Sequence, residues 1–132
     1  MLFLFMGAFA VTRDFTPHDY QHEIMQFIYN TPRCGVWAMM GTGKTVCTLT
    51  ALHNLDLIEE IFPVLVIAPK RVAVVTWPTE LKKWNHLKGL RASVITGTPR
   101  QRSAALHAGA DVFCISYDNL VWLVQTLGDA WP

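Results

Sequence analysis

The sequence is poor in several things, and each shortage removes a class of function. Charge is scarce: Asp, Glu, Lys and Arg make up 16% of 132 residues, while 52% are hydrophobic. That balance belongs to a globular chain with a core, not to a disordered one. Cysteine is limited to Cys34, Cys47 and Cys114, with no C-x-x-C pair. Neither a disulfide framework nor a thiolate zinc site is suggested, which fits a reducing cytosol. His18 and His22 stand four apart, but no third ligand lies near them, so a surface or capping role is expected. No apolar run reaches the roughly 18 residues of a membrane-spanning helix. The apolar segment from Met1 to Val11 is too short for that, and no Lys or Arg precedes it as in a secretory signal. Residues 1–12 are expected to be a buried strand or an extension outside the domain proper. Repeats and low-complexity tracts are absent, as is any adjacent Asp-Glu pair.

Net charge is only +1, yet it is unevenly placed. Residues 70–102 hold eight basic residues against the single acid Glu80, a balance of +7, and the remainder sums to −6. Such a stretch suits a polyanion, or a set of solvated helix faces.

The order of elements follows from periodicity. Thr16-Pro17-His18-Asp19 reads as a helix start with Thr16 as N-cap, and Tyr20, Ile24, Phe27 and Ile28 then share a helical face. Residues 35–39 read as a buried strand, followed by a glycine loop and a helix through Val46, Leu49, Leu52 and Leu55. Further strands are expected at 64–68, 93–96 and 111–116. Helices are expected at 72–84, restarting at Thr76 ahead of Pro78, and at 99–107 and 117–127. Alternating apolar strands and helices predict an α/β fold with a parallel sheet covered on both faces. Ligands of such sheets bind at the carboxyl ends of the strands. The glycine loop, Pro69-Lys70-Arg71, Gly97 and Ser116-Tyr117 all follow strand ends and are expected on one rim.

The strongest chemical signal is Ala38-Met39-Met40-Gly41-Thr42-Gly43-Lys44-Thr45, between a predicted strand and a predicted helix. That is the setting of a P-loop. Glycines let backbone N–H groups wrap a phosphate, and the helix N-terminus adds partial positive charge. Met40, Gly41, Thr42, Gly43, Lys44 and Thr45 are the candidate nucleotide-binding residues. Lys44 is expected to reach the β- and γ-phosphates of ATP, and the Thr45 hydroxyl to hold Mg²⁺. Both are the candidate catalytic residues. An ATP site also argues against export, where ATP is scarce.

The strict P-loop pattern has glycine where this chain has Ala38, and A-x-x-G-x-G-K-T resembles motif I of superfamily 2 helicases. Other segments match the Swi/Snf-like branch in order. Phe15-Thr16-Pro17-His18-Asp19-Tyr20-Gln21 resembles the segment whose glutamine reads adenine. Residues 65–71 (LVIAPKR), followed by Trp77, Glu80 and Trp84, resemble motif Ia with its W-x-x-E-x-x-K-W pattern. Residues 94–97 (VITG) and 111–118 (DVFCISYD) are similar to later family segments. The compact form resembles phage and prophage members.

The resemblance implies a P-loop NTPase lobe of RecA type over residues 13–132, incomplete at its C-terminal side. It implies an ATP-driven motor acting on DNA, of the duplex form, with Gln21 as the adenine reader and Lys70, Arg71 and Tyr117 as nucleic-acid contacts. An amide such as that of Gln21 carries the donor and acceptor needed for adenine's N6 and N7 edge. Trp77 and Trp84, seven apart, are expected in the core. The family's next motif, a D-E-x-H-like box that helps place Mg²⁺ and water, is not found, nor is the second lobe with its arginine finger. This chain alone is therefore expected not to hydrolyse ATP at a DNA-stimulated rate, and to need the missing lobe or a separate chain carrying it. A cytoplasmic site in a bacterium or phage-infected host follows. Two alternatives stay open: an unrelated P-loop kinase or small NTPase, and a non-catalytic nucleotide- or partner-binding fragment.

Overall fold

A computed structural model describes residues 12–31, 34–36 and 43–130. The expected strand at 35–39, the glycine-loop residues Ala38 to Thr42 and the apolar segment up to Val11 lie wholly or partly outside them. The described residues form two compact units: those up to Ile61 together with Glu80–Gly89, and Phe62–Thr79 together with the residues after Gly89.

The first unit is built on α1 (Asp19–Asn30) and α2 (Lys44–Glu59). Helix α1 begins two residues later than Thr16 and Pro17 suggest; its N-cap is His18, in extended conformation. Its inward face is also rotated. Gln21 and Met25 are buried, whereas Tyr20 and Phe27 are nearly half exposed. The cause lies opposite: Cys47 and Ala51 of α2 are small enough to receive Met25, with Phe15, Ile24, Ile28 and Tyr29 around them. The segment before α1 is pinned by a β-bridge, in which Arg13 N–H donates to Lys83 C=O at 2.8 Å and Asn85 N–H to Arg13 C=O at 2.9 Å. The Phe15 ring lies edge-on to Trp84, with centroids 5.4 Å apart, and stacks on His86. His86 Nε2 lies 2.7 Å from the Thr50 hydroxyl. Burial, and then the neighbouring His53, lower the pKa of His86.

The second unit is a three-stranded parallel sheet, β1 (Val64–Ala68), β2 (Ala92–Ile95) and β3 (Val112–Ser116), in the order β1-β3-β2. Val64 pairs with Val112 and Ala68 with Ser116; Ala92 also pairs with Val112, so β3 is central. Four of its five residues are buried. This is the α/β arrangement that alternating apolar segments predict. Cover is less complete than expected, because Leu65 and Ile67 of β1 are 36% and 41% exposed.

The connections explain themselves locally. After β1 the chain enters a π-helical turn, Val72–Thr76, and then α3 (Trp77–Lys83), which belongs partly to each unit. The expected restart near Thr76 takes this form: Trp77 N–H bonds to Val72 C=O, five residues back. Pro78 has no N–H to donate, and the widened turn just before it accommodates the break in the helical ladder. Helix α4 (Pro99–Leu106) starts with a full capping box. Thr98 Oγ1 accepts from Gln101 N–H at 3.3 Å, Gln101 Oε1 accepts from Thr98 N–H at 2.9 Å, and Pro99 occupies the first turn. A short 3₁₀ turn, Tyr117–Asn119, leads into α5 (Leu120–Leu127). No helix among the described residues is long and apolar enough to cross a membrane.

Ile95, Ile115 and Leu123 form the core of this unit, each at most 1% exposed. Ile115→Ala removes three buried carbons from the central strand. It is expected to cost about 3 kcal/mol of unfolding free energy by transfer loss and cavity together. Urea titration followed by tryptophan fluorescence measures this, and a loss below about 1 kcal/mol would mean that this cluster is not the core.

Candidate nucleotide site and strand-end rim

Gly43, Lys44 and Thr45 form the described end of the glycine loop and the first turn of α2. Gly43 has φ +78°, a left-handed conformation that favours glycine. Space demands glycine as well, since a Cβ there would sit 2.7 Å from Gln21 Nε2. The N-terminus of α2 carries no acid in its first turn. The N–H groups at the head of a helix point along its axis and favour an anion there. Gly43 C=O accepts from Cys47 N–H at 3.0 Å and Lys44 C=O accepts from the Thr48 hydroxyl at 2.8 Å, so the turn is held on its carbonyl side.

Gln21 is brought to this loop. It is 6% exposed, and its Oε1 accepts from His18 N–H at 2.9 Å. The carbonyl half of the amide therefore caps α1, and the nitrogen half lies toward Gly43. Met40, Gly41 and Thr42 lie outside the described residues.

A cavity of about 330 Å³ opens beside the loop, lined by Gly43 to Val46 and by Glu80, Lys83 and Trp84. That volume is in the lower range of ligand pockets. The three α3-side residues are the ones that sequence reasoning did not assign to the site. Trp84, expected in the core, is only half buried and lines this cavity. The signal for it was present in the W-x-x-E-x-x-K-W spacing. Trp84 Nε1–H donates to Glu80 Oε2 at 2.6 Å, and Glu80 Oε1 pairs with Lys83 Nζ at 3.6 Å. One helical turn thus ties Glu, Lys and Trp together.

In the second unit, the rim at the carboxyl ends of the strands gathers three of the expected segments: Lys70-Arg71 after β1, Gly97 after β2 and Tyr117 after β3. Lys70 and Arg71 are exposed, and Tyr117 is 60% exposed. Register places Ala68 beside Ser116, so Lys70 and Asp118 follow from adjacent strand ends. The Asp118 carboxyl is held below its usual pKa, first by a hydrogen bond with the Ser116 side chain and, more weakly, by the charges of Lys70 and Arg102. Arg102 donates to Asn119 Oδ1 at 2.7 Å and lies 4.8 Å over the Trp122 ring. It belongs to the framework of the rim rather than to its solvated face.

His18 and His22 are exposed, and no group of His, Cys, Asp and Glu suited to a metal occurs among the described residues. Cys47 and Cys114 are buried free thiols, and burial pushes Cys114 up to about 11.

Comparison with known proteins follows the same segments. The sequence profile of the SNF2-related domain matches residues 20–129. The chain belongs to the SNF2-related domain family. Protein p41 of Acyrthosiphon pisum secondary endosymbiont phage 1 is 52% identical over 122 residues, which covers 91% of this chain and 26% of that protein. The chromatin remodeling factor mit1 of Schizosaccharomyces pombe (strain 972 / ATCC 24843) is 41% identical over 64 residues, 48% of this chain and 4% of its own length. The Sulfolobus solfataricus SWI2/SNF2 ATPase core, solved in complex with dsDNA, superposes with a TM-score of 0.70 at 25% identity, over 85% of this chain and 24% of that one. The chain is therefore part of an SNF2-family ATPase domain of RecA-like α/β fold, and it spans about a quarter of the phage relative and of the solved core.

Removing the Gln21 amide leaves His18 N–H without its acceptor and opens space beside Gly43. Gln21→Ala is expected to lower stability by about 1 kcal/mol, the usual cost of a lost helix cap. Thermal unfolding monitored by circular dichroism reads this out. An unchanged midpoint would show that the amide does not hold the N-terminus of α1.

Proposed function

We propose that this chain is the nucleotide-binding part of an ATP-driven motor that moves along duplex DNA. The observation that carries the reading is the conformation at Gly43: a left-handed glycine, closed against Gln21, opening directly into a helix headed by Lys44 and Thr45. An incidental glycine turn has no need of that combination. The residues fit ATP and Mg²⁺. Backbone N–H groups at the head of α2 would cradle phosphate oxygens, Lys44 would supply a charge-assisted contact to the β- and γ-phosphates, and Thr45 would offer its hydroxyl to Mg²⁺. Met40, Gly41 and Thr42 would add further backbone N–H groups to that cradle, as the sequence pattern implies. Gln21 would read adenine through the amide nitrogen that lies toward Gly43, with its oxygen already fixed by His18. When bound, Mg²⁺ neutralises phosphate charge and orients the γ-phosphoryl group.

Lys70, Arg71 and Tyr117 would meet the DNA backbone from the strand-end rim. Phosphate contacts of this kind position a protein on the duplex without reading sequence. The solved SNF2 core holds dsDNA, which supports that class of partner. A duplex-DNA partner and a phage relative fit a cytoplasmic setting in a bacterium or infected cell. Hydrolysis and movement are activities of the whole motor. The acids that place water, and the second lobe, would come from the remaining three quarters of such a protein.

Lys70→Ala combined with Arg71→Ala is expected to weaken duplex binding and flatten its salt dependence. Each lost phosphate contact lowers the slope of log K against log salt by about 0.9. Fluorescence anisotropy with a labelled duplex from low to moderate salt measures this. A slope identical to that of the unmodified chain would remove both residues from the DNA interface.

A further inference from the structure

We propose that Lys83 is a second cation of the nucleotide site, held in reserve by Glu80 and handed to phosphate when nucleotide enters; the inference rests on the P-loop reading above. The cavity beside the glycine loop has two walls of different kinds. One is the head of α2 with Lys44 and Thr45, and the other is Glu80, Lys83 and Trp84. Charges on the lining are therefore two lysines and one carboxylate. Even with Mg²⁺ bound, a nucleoside triphosphate keeps more negative charge than one net positive charge can balance.

The geometry explains why Lys83 stands where it does. Its backbone is fixed from behind by the Arg13 N–H bond of 2.8 Å to its carbonyl. Its ammonium group has two nearby partners, Glu80 Oε1 at 3.6 Å and the Trp84 ring centroid at 5.0 Å. The side chains of Lys83 and Glu80 are 37% and 21% exposed, so the pair faces solvent in part. An exposed ion pair three residues apart on a helix adds little to stability. Glu80 is oriented by its stronger 2.6 Å bond from Trp84 Nε1–H, which leaves its other oxygen for Lys83. The ammonium is thus tethered loosely at the cavity wall, and a phosphate oxygen is a better partner than a shared, solvated carboxylate. The tryptophan keeps Glu80 in place after Lys83 turns away, so the exchange moves one flexible side chain and no backbone.

The test is a double-mutant cycle in the intact chain, read by calorimetric titration with Mg·ATP and with Mg·AMP. Lys83→Ala is expected to weaken Mg·ATP about tenfold, the size of one charge-assisted contact, and to change Mg·AMP much less. Glu80→Gln keeps an acceptor for Trp84 Nε1–H and releases Lys83, so Mg·ATP is expected to bind several-fold more tightly. That gain must vanish in the Lys83→Ala background. A gain of equal size in both backgrounds would mean that Glu80 acts only as a like charge near phosphate, and would overturn the proposed exchange. Unchanged Mg·ATP affinity in folded Lys83→Ala, with affinity still lost in Lys44→Ala, would overturn the role of Lys83 while leaving the P-loop intact. Absence of Mg·ATP binding by the unmodified chain would overturn both. Circular dichroism spectra matching the unmodified chain establish that each variant is folded, and Lys83→Arg is expected to restore most of the affinity.

Discussion

The close approach of Gln21 to Gly43 is the constraint on which the candidate nucleotide site depends. A chain that leaves a loop and enters a helix must change direction within one residue, and at Gly43 it does so through a left-handed conformation. Gln21 occupies the space that any side chain there would need. The same amide caps α1 through His18. One polar group thereby fixes the start of a helix and the end of a loop, and leaves Lys44 and Thr45 at the head of α2. Around that point the unit is filled by Met25 against Cys47 and Ala51, a contact made possible by small residues rather than by a broad apolar face.

The second unit answers to a different rule. Parallel pairing sends every strand end to the same edge, so segments far apart in sequence become neighbours without any side-chain recognition between them. Lys70 and Asp118 owe their proximity to the pairing of Ala68 with Ser116. The buried centre, Ile95, Ile115 and Leu123, keeps that register, because a slip by one residue would exchange the side chains that β3 presents to its two faces.

Strands with strong apolar character were legible in the sequence: residues 64–68 match β1 to the residue, and β2 and β3 differ from expectation only at their ends. The helix start at Pro99 was legible too. The misread features share a cause, since each depends on a partner distant in sequence. Thr16-Pro17 looks like a helix start, but Arg13 and Phe15 are drawn toward residues 83–86, and the helix begins only at Asp19. Tyr20 and Phe27 fit a helical stripe, yet the small residues of α2 lie under Met25 instead. Spacing of seven made Trp77 and Trp84 look like core. Trp84 instead lines the cavity at the head of α2, a part of the chain distant in sequence, with its indole N–H bonded to Glu80. The family was readable from ordered motifs, whereas the residues facing the loop from α3 needed three dimensions to be seen.

The most direct measurement of the central claim is a nuclear magnetic resonance titration of the isotopically labelled chain with Mg·ADP. The amide signals of Gly43, Lys44 and Thr45 should shift most, together with the side-chain amide of Gln21, and should saturate with a single affinity. Inorganic pyrophosphate should move the three backbone amides but leave the Gln21 side chain nearly unchanged. Shifts centred elsewhere, or none at the head of α2 when nucleotide is in excess, would contradict the account.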